Sequence, residues 1–153
     1  MPNQTQTTLL DYGIDMSPRP LQVSADSGST CYAVIRFVVS NSNSNPVLLS
    51  QLQFVMPVGV LAQNLTADAA AVLFRSEPVG QWQMAMTPYG VFTAIPSLGK
   101  PLSVASNGLY FQLDNVPVNV HFGSVQITIN EKASSANAPA QLRSARFHIS
   151  PRA

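Results

Sequence analysis

The segment VIRFVVSNSNSNPVLLSQLQFVMP, residues 34–57, places a run of Ser and Asn between two stretches in which apolar and polar side chains alternate. Alternation with a period of two puts successive side chains on opposite faces of an extended chain, and it indicates a half-buried strand. The Ser/Asn run, which ends at Pro46, is rich in turn formers and predicts a loop. The side chains expected to face the core are Ala33, Ile35, Phe37 and Val39 before the loop and Leu52, Phe54 and Met56 after it, with Arg36 directed outward.

The same alternation returns towards the C-terminus. TPYG, residues 87–90, predicts a turn into a short strand that ends at Pro96. The strands expected there have as inward residues Trp82, Met84 and Met86; Leu109, Phe111 and Leu113; Val125, Ile127 and Ile129; and Ala145, Phe147 and Ile149.

Three connections follow from the residues between these strands. SNG, residues 106–108, predicts a type I′ hairpin turn, because Asn-Gly tolerates two positive φ angles. Asp114 and Asn115 predict an Asx turn at a strand end. Residues 131–141 are polar and small, and they predict a connection that crosses from one sheet to the other before a last strand at 142–150.

Between Gly59 and Pro78 the alternation fails. There LTADAAAVLF predicts a short helix near residues 66–74, with Thr66 as the N-cap candidate and Asp68 in the first turn. Residues 1–19 are expected to form an irregular N-terminal arm.

The spacing of strands and turns predicts a single all-β domain over residues 1–153, folded as a two-sheet antiparallel β-sandwich with eight or nine strands and one short helix. The pattern resembles the immunoglobulin-like or fibronectin-like superfold, in which residues 34–57 look like a B strand, a loop and a C strand. The resemblance implies the architecture only, because unrelated functions share this fold.

The composition narrows the class of protein. Hydrophobic residues make up 46% of the 153 residues and charged residues 10%, with a net charge of +1. The single cysteine, Cys31, excludes an intramolecular disulfide framework, and we expect it to be a small buried residue at a strand start. We find neither a classical signal peptide nor a stretch of the ~20 apolar residues that a membrane helix needs, so we expect a cytoplasmic location by default or export by a non-classical route.

Enzyme motifs for nucleophilic, metal-dependent or nucleotide chemistry do not occur in the sequence. Only two histidines, His121 and His148, could contribute to a metal site, and the seven acidic residues are scattered. We therefore predict no catalytic residue, no metal ligand and no cofactor, and we expect that the protein is not an enzyme.

Charge is distributed unevenly along the chain. Residues 1–131 contain four basic and seven acidic residues, whereas residues 132–153 contain four basic residues and no acid. This basic tail could bind an acidic partner or the acidic body of a second copy, although the whole-domain charge argues against nucleic acid. Its candidate binding residues are Lys132, Arg143, Arg146, His148 and Arg152.

A second candidate surface is aromatic. Trp82, Tyr89 and Phe92 could form a platform for sugar rings or a membrane interface, because amphipathic rings bury a large area at low entropic cost. By alternation Trp82 fits the core better than the surface, whereas Tyr89 lies in a turn and should be exposed.

These observations favour a non-catalytic protein-interaction or self-assembly module, with a protein partner that could be a second copy of the chain. A carbohydrate-binding module is one alternative. The other is a component of a secreted toxin, pore-forming or membrane-interacting system, because strands rich in uncharged polar residues could line a barrel.

Overall fold

The structure is a computed structural model, and it describes residues 8–17, 31–59, 64–77, 80–87, 89–104, 109–119 and 124–149. These residues form ten strands and one 3-10 turn: β1 Asp11–Ser17, β2 Tyr32–Ser40, β3 Val47–Val55, the turn Ala69–Ala71, β4 Leu73–Glu77, β5 Trp82–Met86, β6 Val91–Pro96, β7 Leu102–Val104, β8 Leu109–Pro117, β9 Val125–Ser135 and β10 Ala138–Ile149.

The strands form two antiparallel sheets, as predicted. One sheet has four strands in the order β1-β2-β8-β4, and the other has six, with the order β10-β9-β3-β6-β5 and with β7 paired to β3. This arrangement matches the immunoglobulin-like pattern, in which strands A, B, E and D form one sheet and C, F and G lie in the other. The all-β sandwich expected from the sequence is therefore confirmed.

The Ser/Asn run between β2 and β3 carries the chain from one sheet to the other. Asn41 is buried at its start, and its side-chain amide donates hydrogen bonds to the carbonyl oxygens of Asn45 and Val104. Its side-chain oxygen accepts from the backbone N–H of Asn43 at 2.9 Å. One buried amide thus bonds backbone groups of the loop and joins the loop to the end of β7.

An aromatic cluster fills the space between the sheets. Phe37 and Phe54 stack with ring centroids 4.4 Å apart across the two sheets. Phe111 lies 5.4 Å from Phe54, and Phe74 contacts both Phe54 and Phe92 edge-on. All the predicted inward residues of β2, together with Leu52 and Phe54 of β3 and Met56 just after it, are buried, so the alternation identified this core correctly.

Two β-bulges change the alternation within a strand. In β3 the register shifts between Leu49 and Gln51, so Val47 and Leu49 point inward at odd positions and Leu52 at an even one. In β8 the extra residue lies at Asn115, which has a φ of 59°. The Asx turn predicted at Asp114 and Asn115 is therefore a bulge inside a strand, because β8 continues to Pro117.

The helix predicted near residues 66–74 is reduced to the 3-10 turn Ala69–Ala71. Asp68 is its N-cap, accepting from the N–H of Ala70 at 3.0 Å, and Thr66 instead accepts from the N–H of Asp68. From Leu73 onward the chain forms β4, because pairing with β8 extends a segment whose local composition favours a helix.

Three segments between or before the predicted strands differ from the sequence prediction. The SNG segment lies outside the described residues, but the strands on either side of it, β7 and β8, belong to different sheets and do not form the predicted hairpin. Residues 131–141 belong to a hairpin of β9 and β10 within one sheet rather than to a crossover. Residues 11–17 of the predicted N-terminal arm form β1, which pairs along its length with β2.

Candidate interaction surfaces

The outer face of the six-stranded sheet carries a row of hydrogen-bonded polar side chains across four strands. The Ser144 hydroxyl donates to Asn130 Oδ1 at 2.7 Å, and the Asn130 amide donates to Gln53 Oε1 at 3.1 Å. Gln53 in turn donates to the Thr93 hydroxyl at 3.4 Å. These uncharged groups satisfy one another, so the centre of this face is polar but neutral.

A groove of about 560 Å³ lies on the same face, where β3 ends. Its lining combines apolar side chains with hydroxyl, amide, imidazole and phenol groups. The residues that line it are Val55, Met56, Pro57, Tyr89, Ser124, Gln126, Thr128 and His148.

The turn between β5 and β6 holds Tyr89 at this groove. Gly90 has a φ of 85°, and a Cβ added there would meet the carbonyl oxygen of Met56 at 2.1 Å. That close approach allows the N–H of Met56 to donate to the Gly90 carbonyl at 2.9 Å. The Tyr89 side chain is 79% exposed, so its ring is available to a ligand.

Of the basic residues predicted in the tail, Lys132, Arg146 and His148 are exposed on this face, and His148 lines the groove together with Tyr89. Two predictions made from separate parts of the sequence therefore meet at one groove. Arg152 lies outside the described residues.

Arg143 departs from the predicted basic outer face, because it has the inward parity of Ala145 in β10 and is buried. Its guanidinium donates to the carbonyl oxygens of Ala133 at 2.9 Å and Pro139 at 3.0 Å. These bonds stabilise the irregular register of the β9–β10 hairpin, so Arg143 has a structural role.

Two of the three predicted platform residues lie in the core. Phe92 is fully buried, and Trp82 is 5% exposed and packs edge-on against Phe111 at 5.4 Å. The interpretation that Trp82 faces the core is confirmed. Neither ring offers a face to solvent, so of the three only Tyr89 can contact a ligand at the surface.

The outer face of the four-stranded sheet has the opposite charge balance. Four acidic side chains lie on it against two arginines: Asp11, Asp15, Glu77 and Asp114, with Arg36 and Arg75. Arg75 forms an ion pair with Asp114 at 2.6 Å, and Arg36 lies 4.4 Å above the ring of Tyr110. Both arginines are thus engaged within the face, whereas the acids outnumber them.

The buried carboxylate of Glu131 joins the two sheets. In the sequence, Glu131 is one of seven scattered acidic residues. Glu131 in β9 is fully buried and accepts hydrogen bonds from the N–H groups of Leu9 at 2.8 Å and Leu10 at 3.0 Å. It also accepts from the Tyr12 hydroxyl at 2.7 Å. Burial, and secondarily the charge of Glu131, raises the pKa of Tyr12 well above its usual value. Because Glu131 shares the parity of Val125, Ile127 and Ile129, its inward direction could have been read from the sequence.

Among the described residues, no group of three or more His, Cys, Asp or Glu side chains could hold a metal ion. Within the same part of the chain, no helix is long and apolar enough to cross a membrane. Cys31 is partly buried immediately before β2, and its carbonyl accepts from the N–H of Val118 at 2.9 Å.

No protein-family model and no curated protein sequence matches the chain. Among solved structures, it is similar to BslA, a bacterial hydrophobin, with a TM-score of 0.53 and 9% identity, covering 95% of this chain and 97% of that one. It also overlaps the collagen-binding subdomain of the Enterococcus faecalis surface protein ACE, with a TM-score of 0.47 and 7% identity, covering 95% and 99%. At such low identity, the likeness to BslA supports the β-sandwich fold alone.

Proposed function

We propose that this chain is a non-catalytic self-assembly module, in which the outer face of the four-stranded sheet of one copy packs on the outer face of the six-stranded sheet of the next. The observation that carries this proposal is the separation of charge between the two faces. Lys132 and Arg146 lie on the six-stranded face, whose described strands present no acid, while acids outnumber arginines on the opposite face. Complementary charges steer such surfaces together and fix their orientation.

The two faces lie on opposite sides of the sandwich, and this sets the type of assembly. A contact between two different surfaces is heterologous, and it adds copies head to tail instead of closing a dimer.

The dimensions of the two faces set the strength of the association between copies. Four strands spaced ~4.8 Å apart and ~7 residues long give a footprint of roughly 400 Å². This is about half of the ~800 Å² per partner that a standard stable interface buries. We therefore expect weak, reversible association whose Kd lies in the micromolar range or above, and which salt weakens because its attraction depends on exposed charges.

Sedimentation velocity over a wide concentration range, at low and high salt, tests the association. We expect the mean sedimentation coefficient to rise with protein concentration at low salt and to rise less at high salt. A monomer at every concentration at low salt would refute self-assembly.

Neutral variants of each face test the head-to-tail geometry. Lys132→Gln with Arg146→Gln impairs only the six-stranded face, and Asp11→Asn with Asp15→Asn impairs only the four-stranded face. Each variant alone should stay monomeric, whereas an equimolar mixture should form a one-to-one dimer, since each partner supplies one intact face. The matched control is Lys100→Gln, which removes an exposed cation in the turn after β6 and should assemble like the unaltered protein. A mixture that stays monomeric, or single variants that still assemble, would contradict the proposed contact.

A further inference from the structure

We propose that the groove beside Tyr89 is a binding site for an acidic saccharide, a uronate-containing oligosaccharide being the simplest example. This inference goes beyond self-assembly and depends only on the groove and the cations next to it. The volume of about 560 Å³ lies within the range of ~300–1,000 Å³ that is typical of sites for small ligands.

The groove offers the two kinds of contact that a sugar ring needs. Tyr89 presents an exposed ring, which can stack on the apolar C–H face of a pyranose. Gln126 and Thr128 on β9 direct an amide and a hydroxyl into the same space, and they can exchange hydrogen bonds with sugar hydroxyls. An apolar ligand would leave these polar groups unpaired, so the lining favours a ligand rich in hydroxyl groups.

The charge beside the groove favours an acid. Arg146 pairs in register with Thr128, which lines the groove, and it therefore lies at the groove's edge on the same outer face. His148, two residues further along β10, is itself part of the lining. No described carboxylate forms an ion pair with Arg146, so its guanidinium is available for the planar, bidentate contact that a carboxylate accepts.

The polar row from Ser144 to Thr93 limits the site to this end of the sheet. Its side chains already bond to one another, so a ligand there would replace existing hydrogen bonds rather than add new ones. The groove and its two basic neighbours are therefore the part of the face that gains most from a ligand.

Titration of the isotope-labelled full chain with tetragalacturonate, followed by NMR, tests the site. We expect saturable shifts of the signals of Tyr89, Gln126, Thr128 and His148. The methyl ester of the same tetrasaccharide keeps every hydroxyl but removes the negative charge, and we expect it to bind about tenfold more weakly or worse. A hyaluronan tetrasaccharide serves as a second uronate with different linkages.

Variants separate the contributions of the groove. Tyr89→Ala should weaken binding about tenfold while Tyr89→Phe keeps the ring and binds within roughly twofold. Arg146→Gln should cost about tenfold or more, whereas Lys100→Gln, an exposed cation outside the groove and outside the proposed assembly contact, should change little.

Each outcome decides one part of the proposal. If neither uronate produces a saturable shift at Tyr89 at millimolar concentration, the site is refuted. If the ester binds as tightly as the acid, the acidic part is refuted. Repeating the titration with the Asp11→Asn, Asp15→Asn variant, which keeps the groove but lacks the acidic face, shows whether saccharide binding is independent of self-assembly.

Discussion

Glu131→Gln should destabilise the fold by several kcal/mol, although it changes one atom of a side chain. The carboxylate accepts from Leu9 N–H through Oε2, and from Leu10 N–H and the Tyr12 hydroxyl through Oε1. A glutamine keeps one acceptor oxygen but presents an NH₂ group to a backbone N–H, so one buried donor faces another. The loss combines a hydrogen bond to a charged group, worth ~1.5–3 kcal/mol, with an unsatisfied buried donor, costing ~1–3 kcal/mol. We expect a total of about 3–5 kcal/mol, which is a large part of the ~5–15 kcal/mol stability of a typical domain.

Urea unfolding monitored by the fluorescence of the buried Trp82 measures this difference in the free energy of unfolding. Tyr12→Phe is the matched control, because it removes one of the three donors and leaves the carboxylate bonded to Leu9 and Leu10. We expect it to cost about 2 kcal/mol, less than Glu131→Gln. Hydrogen exchange should show that Glu131→Gln exposes the amides of Leu9 and Leu10 first. A cost below ~1 kcal/mol, or unchanged protection of those two amides, would refute the view that the buried carboxylate joins β1 to the opposite sheet.

Other parts of the structure can be tested by urea or alkaline unfolding. Because the pKa of Tyr12 is raised above its usual 10.0, the folded protein retains a proton that the unfolded chain releases, and the free energy of unfolding should fall as the pH rises above 10.0. Tyr12→Phe should reduce this fall by up to ~1.4 kcal/mol per pH unit. An unchanged pH slope in the variant would contradict the assignment to Tyr12. Gly90→Ala should lower the free energy of unfolding by ~2–4 kcal/mol, since it adds a clash with Met56 to a strained φ. Gly80→Ala also places a side chain at a positive φ but meets open space, so it should cost less. Equal costs would argue against the clash. Phe54→Ala should cost ~3–5 kcal/mol, because the ring contacts Phe37, Phe74 and Phe111, whereas the outward Gln53→Ala should stay below ~1.5 kcal/mol; similar costs would contradict the core assignment.

The sequence was sufficient to predict which face of most strands is buried, because burial acts on each strand separately. Ile35 and Phe37 in β2, like Ile127 and Ile129 in β9, follow a period of two that no other element needs to specify. The bulges in β3 and β8 were not predictable in this way. Each inserts one residue where the partner strand has none, so its position depends on the pairing of two distant segments.

Local signals failed where pairing with a distant strand outweighed them. Leu73 and Phe74 follow an alanine-rich stretch that favours a helix, yet their pairing with Asp114 and Leu113 of β8 extends them. The polar residues after Glu131 resemble a loop in composition, but Ala133 continues the inward parity and is buried. At Ala133 the period along the chain was a better guide than the composition, whereas at Leu73 only the pairing with β8 decides the structure.

The candidate surfaces depend on pairing even more strongly than the strands do. Tyr89 and His148 are far apart in sequence, and they meet because β10 belongs to the same sheet as β5 and β6, whose connecting turn lies against the end of β3 through the Met56–Gly90 hydrogen bond. The sequence identified both residues, one as an exposed aromatic residue and the other as part of a basic segment, but it could not indicate that they share a groove. The inward parity of Ala145, Phe147 and Ile149 could have separated the buried Arg143 from Arg146, which faces solvent, but the prediction treated the basic segment as one unit. The net charge of a segment is thus a poor predictor of a binding face, because the direction of each side chain decides which charges a partner meets.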